Sequence, residues 1–137
     1  MNVQEYHAVA HKLANRRMKG TPHGDLIKAV VQRLCLKPGV DVIQMNTGAL
    51  KGIGQDGKER LIRFGYPGMA DLFVRVSVGT RCAPRYVVLW MECKIPPDKQ
   101  SDAQVAFQQQ TEKWGDLYRI VRTIEDAQRI IEEVKNA

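Results

Sequence analysis

No stretch of the 137-residue chain is apolar for long enough to span a membrane, and its first residues, Met1-Asn2-Val3-Gln4-Glu5, lack the layout of a secretory signal. Cysteine is scarce. Cys35, Cys82 and Cys93 are odd in number and have no CxxC spacing, which argues against a disulfide framework or a zinc site. They suit a reducing compartment, expected to be the cytoplasm. No Gly-Lys-Ser/Thr accompanies the four glycines at 48, 52, 54 and 57, so a phosphate-cradling nucleotide site is not expected. His7 and His11 stand four apart, but no Glu follows His7 as in a zinc-protease helix, and they read as solvated residues on a basic helix. Internal repeats and low-complexity tracts are absent.

What is there describes one ordinary globular domain. The length supports a single core, and 44% hydrophobic with 26% charged residues is typical of such a fold. The net charge of +6 is unevenly spread: residues 1–100 carry 16 Lys+Arg against 8 Asp+Glu, whereas residues 101–137 carry 5 against 7. A basic excess confined to one part of the chain suits a polyanionic partner held by phosphate contacts. The plain alternative is a solvated surface.

Hydrophobic spacing divides the chain as follows. Residues 1–20 read as a basic N-terminal helix, an extension (1–22) ahead of the domain proper (23–137). Thr21-Pro22-His23-Gly24 breaks the chain, and a helix from about Asp25 to Leu36 ends at Lys37-Pro38-Gly39. Val40–Met45 is a strand, and 48–57 a loop or loose hairpin with a short strand near Arg60–Phe64. Asp71–Val78 and Tyr86–Lys94 form an antiparallel pair. Ser101-x-x-Gln104 is a capping box that opens a helix to about Trp114, Leu117–Arg122 is a strand, and Thr123 opens a last helix to about Val134. This order implies an α/β fold, a mixed sheet flanked by helices. Trp90 and Trp114 are expected in the core.

One feature resists a purely structural account. Tyr86-Val87-Val88-Leu89-Trp90-Met91 is the most apolar run of the chain, yet it ends in Glu92-Cys93-Lys94. A buried strand should not end in charged groups without a reason. Residues two apart on a strand share a face, about 6.5–7 Å apart, so Glu92 and Lys94 look at one spot. Asp71 belongs to Gly68-Met69-Ala70-Asp71-Leu72-Phe73, a turn feeding another strand. Two carboxylates and a lysine at one sheet edge suit a hard divalent cation and an activated water. The bland reading is a salt-bridged strand end entering solvent.

This pattern resembles the PD-(D/E)XK nuclease superfamily, and in its details the virus-type replication-repair nuclease (VRR-NUC) domain. The resemblance runs from about Gly24 to Val134. It rests on Asn46-Thr47-Gly48, Gly65-Tyr66-Pro67-Gly68-Met69-Ala70-Asp71-Leu72, Met91-Glu92-Cys93-Lys94, Ser101-Asp102-Ala103-Gln104 with Phe107, and Leu117-Tyr118-Arg119-Ile120-Val121-Arg122. It implies a restriction-endonuclease-like core, α-β-β-β-α-β plus a C-terminal helix. It also implies a Mg2+- or Mn2+-dependent endonuclease that cuts DNA, selective for branched or junction structures and serving replication, recombination or repair. Small members are generally phage or bacterial, and many act as homodimers. Catalytic roles would fall to Asp71, Glu92, Lys94 and Gln104, and the metal to Asp71, Glu92 and the main-chain carbonyl of Cys93. Lys94, beside two carboxylates, should keep its proton and orient the water instead of acting as a base.

Further candidates carry weaker signals. The family often adds an acidic residue from the first helix, and Asp25 is the only one there, although Asp is equally at home as a helix cap. Gln108 shares a helix face with Gln104. Asn46 and Gly48 match a recurrent Asn-x-Gly at the lip of the cleft, or an ordinary turn. Gly68 would bring backbone close to substrate, and Lys51, Arg60, Arg63, Arg81 and Arg85 are candidate phosphate contacts. Two rivals stand beside the DNA endonuclease: a non-catalytic DNA-binding recombination accessory on the same fold, and an RNA-processing nuclease.

Overall fold

The computed structural model describes residues 20–137; the expected basic helix over 1–20 lies outside the described residues. Helix α1 (Pro22–Leu34) begins where a chain break was expected. The Thr21 side chain accepts from the Gly24 amide, and Pro22 takes the first turn, where its missing N–H goes unneeded. The capping pair thus starts a helix there, one residue ahead of the expected domain boundary.

The strands follow: β1 (Val40–Gln44), β2 (Gly48–Ile53), β3 (Glu59–Phe64), β4 (Leu72–Ser77) and β5 (Tyr86–Cys93). Helix α2 (Asp102–Lys113), strand β6 (Leu117–Val121) and helix α3 (Ile124–Asn136) complete the chain. Both expected caps are present: Ser101 and Gln104 form a reciprocal capping box, and the Thr123 side chain accepts from the Asp126 amide. Four strands make one mixed sheet in the order β1-β4-β5-β6. Among the first three each neighbouring pair is antiparallel, with Phe73 opposite Trp90, and β6 runs parallel to β5, with α2 as the crossover. The described residues form an α/β domain of three helices on a mixed sheet.

Alternation along β4 and β5 gives the sheet two faces. On one, Leu72, Val74, Val76, Leu89, Met91 and Cys93 pack against Ile27, Val30 and Leu34 of α1 and Ala127, Ile130, Ile131 and Val134 of α3. On the other, Trp90 meets Phe73 and Phe107 edge-on, and Phe107 and Tyr118 anchor α2. Trp90 is thus a core residue as expected, its ring N–H donating to Asp116 at 3.0 Å. Trp114 is not. The buried stripe of α2 is only Phe107 and Thr111, and the helix ends before its next turn, leaving Trp114 78% exposed.

Of the two readings of the glycine-rich stretch, loop or loose hairpin, the hairpin is the one formed: residues 48–53 are strand β2, paired over six residues with β3, and among the described residues the hairpin joins no other strand. Its glycines stand opposite large residues, Gly48 facing Phe64 and Gly52 facing Arg60. The cross-strand partner, not local propensity, holds them extended. Among the described residues no helix is long and apolar enough to cross a membrane.

Candidate active site

The β4–β5 ladder ends at the Leu72–Met91 pair, which leaves the next inward amide of β5 without a strand partner. The Asp71 carboxylate takes its place, Oδ2 accepting from the Cys93 amide at 2.9 Å. On the opposite edge the Lys94 amide donates to the Val121 carbonyl at 2.9 Å, continuing the β6 ladder. The Glu92-Cys93-Lys94 main chain is therefore held from both sides, and alternation sends Glu92 and Lys94 to the face covered by α2.

There they meet Gln104. Its Oε1 accepts from Lys94 Nζ at 2.8 Å and from the Ser101 amide at 2.9 Å, and its amide nitrogen donates to Glu92 Oε1 at 2.6 Å. Lys94 Nζ also lies 3.3 Å from Glu92 Oε1. The amide that closes the capping box of α2 thus links the strand-end carboxylate to the lysine. Glu92 is 1% exposed, and its other oxygen, Oε2, is buried with no hydrogen-bond partner among the described residues. Burial, joined by the nearby Asp71 charge, pushes its carboxyl up to about 7 against the pull of Lys94. The Cys93 thiol, on the core face, is raised by burial to about 12 and is chemically quiet.

The site also contains a residue that sequence reasoning missed. His23, in the first turn of α1, places Nε2 2.9 Å from the Cys93 carbonyl oxygen and 3.3 Å from Asp71 Oδ2. The clue was the Thr21-Pro22 pair, which marks a helix start and so puts His23 on a fixed first turn. Asp25 does not join the cluster. It is exposed, its carboxylate lies beside Gly20, and no hydrogen bond or ion pair ties it to the site.

Several other expectations are redistributed. Gln108 is engaged elsewhere, accepting from Gln100 at 3.0 Å and donating to Glu112 at 2.9 Å. Gly68 does sit at positive φ (+75°), at the third position of a turn closed by Met69 N to Tyr66 O. Its close neighbour, however, is the Ala103 carbonyl of α2, with which a Cβ would collide. Gly68 therefore seats the Asp71 turn against the helix carrying Gln104. Arg81 and Arg85 lie on the β4–β5 connection, at the other end of β5 from Glu92 and about 20 Å away at strand rise. That distance removes them from the site.

The β2–β3 hairpin rises from the site's own end of the sheet, where the Met45 amide donates to the Asp71 carbonyl at 2.8 Å. Asn46 and Gly48 form its exposed root. Lys51 and Arg63 share one face of the ribbon, whereas Arg60 is on the other, paired with Asp56 at 2.8 Å. Of the three basic candidates on the hairpin, Lys51 and Arg63 are thus the two not paired with Asp56.

As donors, Asp71, Glu92 and the Cys93 carbonyl offer hard oxygens, and the orphaned Glu92 Oε2 is the kind of buried acceptor that a cation would satisfy. The residues fit a magnesium-type ion. Among the described residues no three or more His, Cys, Asp or Glu side chains form a group that could hold a metal ion, so a site here would need the Cys93 carbonyl as well. Compared with known proteins, the chain matches no family model, no curated protein and no solved structure.

Proposed function

We propose that the protein is a metal-dependent endonuclease that hydrolyses phosphodiester bonds of DNA, on a PD-(D/E)XK-type core of the VRR-NUC kind. The observation that carries the reading is the Lys94–Gln104–Glu92 link standing beside the Asp71–Cys93 contact at one end of β5. A strand end that merely entered solvent would not bury Glu92 or leave one of its oxygens without a partner. The order β1-β4-β5-β6, with only β6 parallel to its neighbour, also supports the core assignment.

Asp71, Glu92 and the Cys93 carbonyl would hold the ion, which when bound supplies Lewis acidity and a water acidic enough to attack near neutral pH. Lys94 contributes a positive charge beside that water and the scissile phosphate, and steadies the negative charge that grows at phosphorus. Gln104 positions Lys94 and, as the cap of α2, keeps it fixed while substrate binds. The basic ribbon face of Lys51 and Arg63 is directed to the flanking phosphates. Their weight in binding should fall steeply as salt rises.

The test is cleavage of supercoiled, single-stranded, flap and four-way-junction DNA, and of RNA, with Mg2+ or Mn2+ and with EDTA. Asp71→Ala, Glu92→Ala and Lys94→Ala are each expected to lower the rate by about 100-fold or more while DNA binding persists. Undiminished cutting by all three variants overturns the assignment. Metal-independent DNA binding with no cutting by the wild type indicates an accessory protein, and preference for RNA moves the substrate.

A further inference from the structure

Arg122 follows directly on β6 and has no part in holding the ion or its water. We propose that its guanidinium grips one of the two phosphates that neighbour the scissile one, and so sets where along the strand the cut falls. This rests on the endonuclease reading given above.

Strand register brings Arg122 to the site. Val121 stands opposite Cys93 in the parallel β5–β6 ladder, and the Lys94 amide donates to the Val121 carbonyl at 2.9 Å. The next residues along are Lys94 and Arg122, on main chains about 4.8 Å apart. Alternation fixes the face. Val121 packs in the aliphatic core with α1 and α3, whereas Tyr118 and Ile120 belong to the aromatic cluster beneath α2. Two residues beyond Ile120, Arg122 shares the face of Glu92 and Lys94. Strand β6 is the last of the sheet, with no neighbour on its outer side among the described residues. That flank is open to a ligand.

The side chain is held in place but not neutralised. The Arg122 amide donates to Asp126 Oδ2 at 3.0 Å, and one guanidinium nitrogen donates to the Asp98 carbonyl at 3.3 Å. The second bond ties the side chain to the loop that follows Lys94. Arg60, Arg75 and Arg129 each pair with a carboxylate, from Asp56, from Asp41, and from Asp126 with Glu133. Among the described residues Arg122 forms no such ion pair. Asp126 is engaged by the Arg122 amide and by Arg129, and Asp98 offers its carbonyl. A guanidinium has five N–H donors in a planar fork, and the Asp98 carbonyl takes one of them. A fixed fork with its charge unmatched suits two oxygens of one phosphate.

The consequence is a site bracketed by positive charge. The hairpin carrying Lys51 and Arg63 rises beside β1 and β4, where the Met45 amide meets the Asp71 carbonyl. Arg122 stands on the opposite flank, beyond β5. A strand held on the hairpin side alone could slide past the carboxylates; a second grip beside Lys94 stops it in one register.

The experiment uses full-length protein and the substrate that the wild type cuts best, synthesised with one neutral methylphosphonate at each phosphate around the cut in turn. Binding is read on a four-way junction in EDTA over a range of salt. Arg122→Gln should lower kcat/KM by about 10- to 100-fold and make the log–log salt slope of binding shallower by about one. With the methylphosphonate at the contacted phosphate, the wild type should fall by the same factor and Arg122→Gln should fall no further. Arg122→Lys should regain the salt slope and part of the rate. Arg81→Gln, an equal loss of charge at the far end of β5, should change neither. Equal losses in Arg81→Gln reduce the effect to net charge and overturn the proposal. Methylphosphonate penalties that persist at every position in Arg122→Gln make Arg122 a brace for the loop, and overturn it too. A wild type that binds DNA without cutting removes the endonuclease reading, and the salt slope then decides Arg122 by itself. A wild type that neither binds nor cuts removes both. Circular dichroism of each variant separates these outcomes from misfolding.

Discussion

Leu89, Met91 and Cys93 point one way from β5, and Trp90 and Glu92 point the other, so a single strand serves two different kinds of burial. On the first side the neighbours are aliphatic and come from two helices, and packing there is non-directional. On the second side a nearly inaccessible carboxylate has a hydrogen bond on one oxygen, from Gln104, and none on the other. The apolar side holds the strand in place. The polar side draws on that stability to keep a charged group where water would otherwise dissolve the arrangement. Natural folds break their local rules at functional places, and here the rule is broken on one face only.

Four substitutions should sharpen this contrast, in falling order of effect. Met91→Ala empties the middle of the apolar face and is expected to destabilise the fold by about 2–5 kcal/mol, read by urea denaturation. A loss under 1 kcal/mol would mean that the helices do not depend on this face. Gln104→Ala frees Lys94 and Glu92 from each other. Cleavage should drop by about 10- to 100-fold, with about 1 kcal/mol lost from the helix cap. Ser101→Ala, which removes only the other half of the cap, should lose similar stability and keep most of the turnover. Equal activity losses in the two variants would reduce Gln104 to a cap.

The smallest effect has the opposite sign. In metal-free buffer Glu92→Gln should stabilise the protein, by an amount on the order of 1 kcal/mol, and pH should control it. The folded protein keeps a proton on Glu92 up to about 7, whereas in the unfolded chain the group ionises near its ordinary 4.5. The wild type's stability from this group is therefore full below about 4.5 and drains away as pH rises through 7. Thermal melts in EDTA at pH 5 and pH 8 should show the variant's advantage growing with pH. A constant or shrinking gap would mean that Glu92 is not held against its charge.

Much of this was legible in the residues. The charged end of β5, the helix caps at Ser101 and Thr123 and the antiparallel β4–β5 pair all carry short-range signals, which survive folding because their partners are near in sequence. What escaped notice depends on how elements end and where they are carried in the fold. Residues 48–53 are held extended by β3 alongside them. Trp114 is exposed because α2 stops before its stripe can return to the sheet. Arg81 and Arg85 looked like phosphate contacts until the direction of β5 put them at its far end. Gln108 shares a helix face with Gln104, but Gln100 and Glu112 claim its amide. His23 sat in what resembled a chain break, and only the fold shows a helix start carrying it to Cys93, seventy residues away.

The unequal environments of the three thiols have a practical use. Cys93 is sealed in the interior, whereas Cys35 at the end of α1 and Cys82 on the β4–β5 connection are exposed. A maleimide dye should therefore attach at those two positions and pass over the third. A Cys35→Ser background would leave one fluorescent handle at the end of the sheet opposite Glu92, from which the approach of a candidate ligand such as labelled DNA could be tested without altering Glu92 or its neighbours.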